Sequence, residues 1–202
     1  MSDRKLLNRE YTYYLEPANN SQWAYVRDFL TPAECDSIIN IGNSHSRLAS
    51  VVNETNDVMH NIRRNHVVFL KSIDLANEWI FSRVAGAVNT LNRQFWNFDL
   101  KFLETLQFTI YDEPGDFYTA HMDMGHNRVE ARKLSIVVQL SEADSYQGSD
   151  LQLHSCGMDF YNTMRERGTL IAFPSYMVHQ VTPLLTGTRY SLVSWVCGPP
   201  YK

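Results

Sequence analysis

The chain has 202 residues, with 18 Lys and Arg against 22 Asp and Glu, a formal net charge of −4, and 44% hydrophobic and 20% charged residues. That length can bury a sizeable core, and that composition excludes a disordered or fibrous chain. The acidic balance argues against a surface devoted to phosphate backbones, although Arg4-Lys5 and Arg63-Arg64 form small basic pairs, so no nucleic-acid partner is expected.

Cys35, Cys156 and Cys197 are scattered, without the spacing of a zinc site or a disulfide framework, and read as reduced, packed thiols. The N-terminal segment lacks an apolar core of signal-peptide length, and no run approaches a membrane span. The expectation is a cytoplasmic protein with no membrane partner. The oligomeric state is not specified.

The opening tract to about Tyr25, with Tyr11, Tyr13, Tyr14 and Trp23, alternates as one edge strand does. Phe29-Leu30-Thr31-Pro32-Ala33-Glu34-Cys35 has the order of a helix start: Thr31 as N-cap, Pro32 at the first helical position and Glu34 three residues after the cap. That helix is predicted to run to about Gly42. Ser44 to Asn61 is rich in Ser, Asn and Asp and predicts a long loop, of the kind that serves as a lid.

His66-Val67-Val68-Phe69-Leu70 is a short apolar strand, and Leu75, Trp79, Val84, Val88, Leu91 and Phe95 then recur at helical spacing. After Asp99 the period falls to two. Leu106, Phe108 and Ile110 share one face of a strand, and Gln107, Thr109 and Tyr111 share the other. Further strands are predicted over Leu134 to Leu140, Asp150 to His154, Thr169 to Phe173, Met177 to Val181 and Thr188 to Val196, separated by Gly, Pro, Asp and Ser turns.

Helices first and many short strands afterwards predict an α+β, mainly β protein. The expected core is a double-stranded β-helix, that is, a jelly roll or cupin-like core, with N-terminal helices packed outside. Residues 1–202 read as a single domain, with 1–100 as a helical and strand support region and 101–202 as the jelly roll.

His121 and Asp123 lie at the end of a strand beyond the Pro114-Gly115 turn. Two residues apart in an extended chain, they project the same way and can grip one cation. A lone His-x-Asp is common in turns, and it is the position at a sheet rim that gives this one weight. A third donor comes from His179, His154 or His126, of which His126, five residues beyond His121 in a Gly/Asn loop, is the poorest candidate. Two histidines and one carboxylate make the facial set of a non-haem Fe(II) oxygenase.

Arg189 interrupts a strand whose other members, Leu192, Val193, Trp195 and Val196, have the character of buried residues. A buried guanidinium needs an anion, either a carboxylate of the protein or that of a bound small acid. Ser191, Val193 and Trp195 share its face, so a donor pair is followed by an apolar wall. Tyr111 either offers its hydroxyl to the same anion or is a half-exposed strand tyrosine, and Tyr118 lies near the metal or packs beside it.

Taken together, Tyr111…Gly115…Tyr118-x-x-His121-x-Asp123, then Gly148, then Phe173-Pro174-Ser175…His179-x-Val181-x-Pro183, then Gly187-x-Arg189-Tyr190-Ser191…Trp195 resemble the prolyl 4-hydroxylase-like branch of Fe(II)/2-oxoglutarate dioxygenases. The resemblance covers about Gln107 to Pro199, and Phe29 to Cys35 is similar to the start of that catalytic domain. Arg189, where collagen-type enzymes use lysine, points to the microbial, arginine-anchored hydroxylases. Two departures stand out: Gly148-Ser149 where many relatives have Gly-Gly, and one extra residue between Tyr111 and Gly115.

The resemblance implies that His121, Asp123 and His179 hold Fe(II), that 2-oxoglutarate and O2 are cosubstrates, and that ascorbate is admitted. It implies that Arg189, with Ser191 and Tyr111, binds the far carboxylate of 2-oxoglutarate beside Trp195. The implied reaction is hydroxylation of a C–H bond with succinate and CO2 as coproducts, foremost on a peptidyl proline of a peptide or protein substrate. Asp123 fits hydroxylation, because halogenating relatives lack that carboxylate. A free amino acid or other small molecule is the alternative substrate, and a non-catalytic jelly-roll module that binds a metal or a carboxylated ligand is the alternative class.

Overall fold

The computed structural model describes residues 22–49, 61–124, 130–154 and 159–201. In chain order its first elements are β1 Ala24–Val26, α1 Pro32–Asn43, β2 Leu48–Ala49, β3 Arg63–Arg64, β4 His66–Leu70, α2 Glu78–Phe95, β5 Phe102–Leu103 and β6 Leu106–Tyr111. Then follow β7 Phe117–His121, β8 Ala131–Gln139, β9 Tyr146–Gly148, β10 Leu151–His154 and β11 Phe160–Asn162. The last are β12 Leu170–Pro174, β13 His179–Val181, β14 Leu184–Gly187 and β15 Arg189–Gly198.

Helix α1 begins as its sequence dictates. Glu34 N–H donates to Thr31 Oγ1 at 3.2 Å, and Thr31 N–H donates to Glu34 Oε2 at 2.8 Å, a reciprocal capping box with Pro32 in the first turn. Its inner face carries Cys35, Ile38 and Gly42, and Gly42 sits against the ring of Phe108, where any side chain would overlap. Helix α2 buries Ile80, Val84, Val88 and Leu91. Leu75 departs from the predicted helical row. It lies in the turn before α2, where Asn77 N–H closes onto Asp74 O at 2.9 Å, and it is 87% exposed.

Both helices cover one face of an eight-stranded sheet of order β1-β12-β8-β15-β6-β4-β2, with β5 paired to β15. That face presents Leu106, Phe108 and Ile110 of β6, Leu134, Ile136 and Val138 of β8, Leu170 and Ala172 of β12, and Leu192 and Val196 of β15 to the helices. A five-stranded sheet, β11-β10-β13-β7-β3, closes over the other face, and β14 pairs with β9 beside it. Between the sheets a second core gathers Val137, Ile171 and Phe173 with Leu151, Leu153 and Val181. This is the expected double-stranded β-helix with helices outside.

Because both faces of the larger sheet are covered, all six residues of β6 are buried. The predicted polar face, Gln107, Thr109 and Tyr111, turns into the space between the sheets. Tyr111 is therefore not a half-exposed strand tyrosine.

The edge-strand reading of the opening tract is met only by β1, which pairs with β12; residues 1–21 lie outside the described residues. The predicted loop from Ser44 to Asn61 contains β2, which pairs with β4, and its residues 50–60 lie outside the described residues. The short strands β3, β9, β11 and β14 escaped the periodicity reading, being too short to show it. Cys35 and Cys197 are buried, as expected, whereas Cys156 lies outside the described residues. Among the described residues no helix is long and apolar enough to cross a membrane.

Candidate metal centre and anion pocket

Strands β7 and β13 run antiparallel in the smaller sheet, and His121 pairs directly with His179. The next matched pair is Tyr118 with Val181, so three steps on β7 answer two on β13. This β-bulge turns Tyr118 onto the same side as His121, and the two rings stack with centroids 3.6 Å apart. Asp123, two residues beyond the end of β7, is fixed by its N–H donating to Ser175 O at 2.9 Å.

The ligand-type atoms of His121, Asp123 and His179 all lie within 4.8 Å of one another, and they form the one such cluster among the described residues. His121 Nδ1 bonds Thr119 O at 2.7 Å and His179 Nδ1 bonds Met177 O at 3.0 Å. Carbonyls accept only, so both Nδ1 atoms carry a proton, which leaves the Nε2 atoms as those that could bind a metal. They face the carboxylate, His121 Nε2 at 3.5 Å from Asp123 Oδ1 and His179 Nε2 at 3.3 Å from Oδ2. Ser135 Oγ donates to Asp123 Oδ2 at 2.7 Å and orients the acid from the facing sheet. This is the tautomer and backing that a dication needs from two imidazoles and a carboxylate, so the donor set fits the metal.

Burial pushes the His121 imidazole down, toward its neutral form. For Asp123 burial acts upward, but the adjoining imidazoles of His179 and His121 hold its carboxyl well below the usual range. For His179 burial acts downward, and the Asp123 carboxylate beside it wins and raises it. The cluster thus sets an ionised carboxylate against two imidazoles, a charge that a cation held among the three would offset.

His154 is excluded from this cluster. Its neighbour Leu153 is the residue paired with His179 and points inward, so His154 points away, its ring edge-on to Phe160 at 5.0 Å. His126 lies outside the described residues.

Arg189, at the start of β15, is 1% exposed and faces into the space between the sheets beside Tyr111, its pair on β6, with its guanidinium carbon 5.5 Å from that ring. It forms no ion pair among the described residues. Nη2 and Nε donate to Gln139 Oε1 at 2.9 and 3.3 Å, and Gln139 is itself fixed by its Nε2 donating to Met164 O at 2.9 Å. Among the described residues, then, a protein carboxylate is not the partner of Arg189. Burial raises the Tyr111 phenol while the guanidiniums of Arg63 and Arg189 act the other way, and the group stays a neutral donor.

Ser191 pairs with Gln139 on one side and Thr109 on the other, and Trp195 pairs with Ser135, so the predicted row does share one face. The guanidinium carbon of Arg132 lies 3.7 Å over the Trp195 ring, and Arg132 is held by Glu104 through two bonds of 2.7 Å. Two contributors had no place in the sequence reading of the site. Ser135 had a faint signal, a hydroxyl in an apolar strand; Gln139 had none, because only strand register brings it inward.

Residues 106–197 match the 2OG-Fe(II) oxygenase superfamily. A PKHD-type hydroxylase of Synechococcus sp. (strain CC9605) is 37% identical over 82 residues, 41% of this chain and 37% of that protein. A PKHD-type hydroxylase of Crocosphaera subtropica is 31% identical over 99 residues, 48% of this chain and 44% of that protein. The match spans well under half the length of these relatives. Among solved structures, a Pseudomonas putida prolyl-4-hydroxylase superposes with a TM-score of 0.71 at 19% identity, covering 89% of this chain and 94% of that one. A Trichoplax adhaerens prolyl hydroxylase, solved with a hypoxia inducible factor peptide fragment, superposes with a TM-score of 0.73 at 17% identity, covering 87% of this chain and 83% of that one. The structural likenesses establish a common fold, and over residues 106–197 the chain is similar to the 2OG-Fe(II) oxygenase superfamily.

Proposed function

We propose that the protein is an Fe(II)- and 2-oxoglutarate-dependent dioxygenase that hydroxylates a C–H bond, foremost of a peptidyl proline, releasing succinate and CO2. The observation that carries this reading is one arrangement. Two imidazole Nε2 atoms and a carboxylate converge on a single point, and the same interior space holds Arg189, a buried cation without a carboxylate partner among the described residues. The fit extends to the cosubstrate, because a dicarboxylate keto acid needs both a metal and a cation.

His121, Asp123 and His179 would hold the iron, and Arg189, with Tyr111 and Ser191, would bind the far carboxylate of 2-oxoglutarate. The iron and its cosubstrates supply the oxidising chemistry. The protein's part is placement. Ser135 and the carbonyls of Thr119 and Met177 fix the three donors, Gln139 aims the Arg189 guanidinium, and Phe173, Val137 and Val181 keep the space between the sheets dry. A peptide as substrate is supported by likeness to prolyl hydroxylases alone.

Anaerobic titration of the protein with Fe(II) and 2-oxoglutarate tests the reading. A charge-transfer band that requires both components is expected, followed by succinate release when O2 and proline-containing peptides are admitted. Absence of the band would leave a metal- or carboxylate-binding module instead.

A further inference from the structure

Arg63 has no part in the reading above, yet it has the features that singled out Arg189. Among the described residues two arginines are buried, Arg189 at 1% and Arg63 at 7% exposure. These two lack a carboxylate, while less buried ones have theirs: Arg64 with Asp116 at 3.0 Å, Arg132 with Glu104 at 2.7 Å, Arg167 with Glu142 at 2.8 Å. Arg63 Nε donates to Asn65 Oδ1 at 2.9 Å, and its two terminal nitrogens have no acceptor among the described residues. A buried guanidinium with an open fork is poised for an anion, best a carboxylate taken by both nitrogens.

The position of Arg63 says whose anion it is. Arg63 pairs with Tyr118 across β3 and β7 and so faces the same interior space, its guanidinium carbon 4.6 Å from the Tyr118 ring centroid. On its other contact that ring stacks on His121. One aromatic ring thus separates the cation from the metal centre. Arg189 belongs to the larger sheet and Arg63 to the smaller, and both act electrostatically on Tyr111.

Charge balance then leaves a gap. A dication, the Asp123 carboxylate, two guanidiniums and a dianionic keto acid carry one uncompensated positive charge in a space shielded from water. One monoanionic carboxylate cancels it. The two carboxylates of 2-oxoglutarate are already assigned, to the metal and to Arg189, so the remaining one comes from the molecule to be oxidised.

We propose that Arg63 is the recognition site for a carboxylate of the substrate itself, so that the hydroxylated molecule presents a free acid close to the reacting carbon. The inference rests on the dioxygenase reading and on Arg189 as cosubstrate anchor. The carboxylate is that of a free amino acid, of a chain terminus, or of an acidic side chain.

The test uses full-length protein loaded with Mn(II) and 2-oxoglutarate, so that the Arg189 site is filled, titrated calorimetrically with three sets of probes. These are free L-amino acids against their amides, proline-ending dipeptides against their amides, and doubly capped peptides with internal Glu against Gln. At least one set is expected to bind the acid tenfold or more tightly than its uncharged partner, and that set identifies the source of the carboxylate. Arg63→Gln is expected to abolish the preference while 2-oxoglutarate affinity stays within twofold. Should Arg63→Gln not fold, Arg63→Lys, which keeps the charge but not the fork, is expected to reduce the preference at least threefold, and an unchanged preference overturns the assignment. No preference in any set overturns it too. So does a tenfold loss of 2-oxoglutarate affinity in Arg63→Gln, which would give this cation to the cosubstrate. If 2-oxoglutarate fails to bind the metal-loaded wild type, the dioxygenase reading itself fails; if it binds without a carboxylate preference, only the role of Arg63 fails.

Discussion

Arg189 reaches across from β15 to Gln139 of β8 and rests both Nη2 and Nε on a single amide oxygen, at 2.9 and 3.3 Å. An amide holds a guanidinium in place without neutralising it, so the charge stays available to a ligand. Hydrogen bonds to charged groups contribute roughly 1.5–3 kcal/mol. Arg189→Ala is therefore expected to raise the 2-oxoglutarate dissociation constant by about tenfold or more, with Mn(II) affinity changed less than about twofold. Calorimetric titration of both ligands checks this, and an unaltered 2-oxoglutarate affinity would move the anchor elsewhere.

His179 and His154 differ in direction and not in residue type. His179→Ala removes one of three converging donors and is expected to abolish tight metal binding and succinate formation. His154→Ala removes an outward ring that packs on Phe160 and should leave both within about twofold, as for a surface change. Equilibrium dialysis with Mn(II) separates the two variants, and the opposite ranking would mean that the wrong histidine faces the metal.

Ser135 supplies the hydrogen bond that fixes Asp123 Oδ2 from the opposite sheet. Removing a donor behind a metal ligand typically costs 10–100-fold in metal affinity or activity. Ser135→Ala should accordingly weaken metal binding by roughly tenfold while the circular dichroism spectrum and melting temperature stay close to wild type. Equal metal affinity in the variant would show that Asp123 is held in place without it.

Gly168 and Gly86 make a paired test of backbone demands. Gly168 sits at φ +78 and a side chain there would meet the carbonyl oxygen of Leu30, whose N–H donates to Gly168 O at 3.1 Å. Gly168→Ala is expected to destabilise by more than about 1 kcal/mol. Gly86 lies exposed within α2 with nothing within 4 Å of an added methyl, so Gly86→Ala should stabilise by about 0.5–1 kcal/mol. Denaturant unfolding of both variants gives the signs, and a stabilised Gly168→Ala would contradict the left-handed backbone at that turn.

Much of the architecture was legible from residue order alone, because it is written in local physics. The Thr31, Pro32, Glu34 sequence specifies a helix start within one turn of chain, and the alternation of Leu106, Phe108 and Ile110 specifies a strand face within six residues. The pairing of His121 with Asp123 was legible for the same reason, a separation of two along an extended backbone. What needed the tertiary structure was everything that depends on which strands lie side by side. Register on β13 chose His179 over His154, and a bulge in β7 laid Tyr118 on His121. Pairing with Tyr118 turned Arg63 inward, and coverage of both faces of the larger sheet buried Tyr111 and left Arg189 with an amide for company. Side-chain direction in a strand flips with each residue, so a one-place change of register reverses what faces the metal, and contacts far apart in sequence set that register.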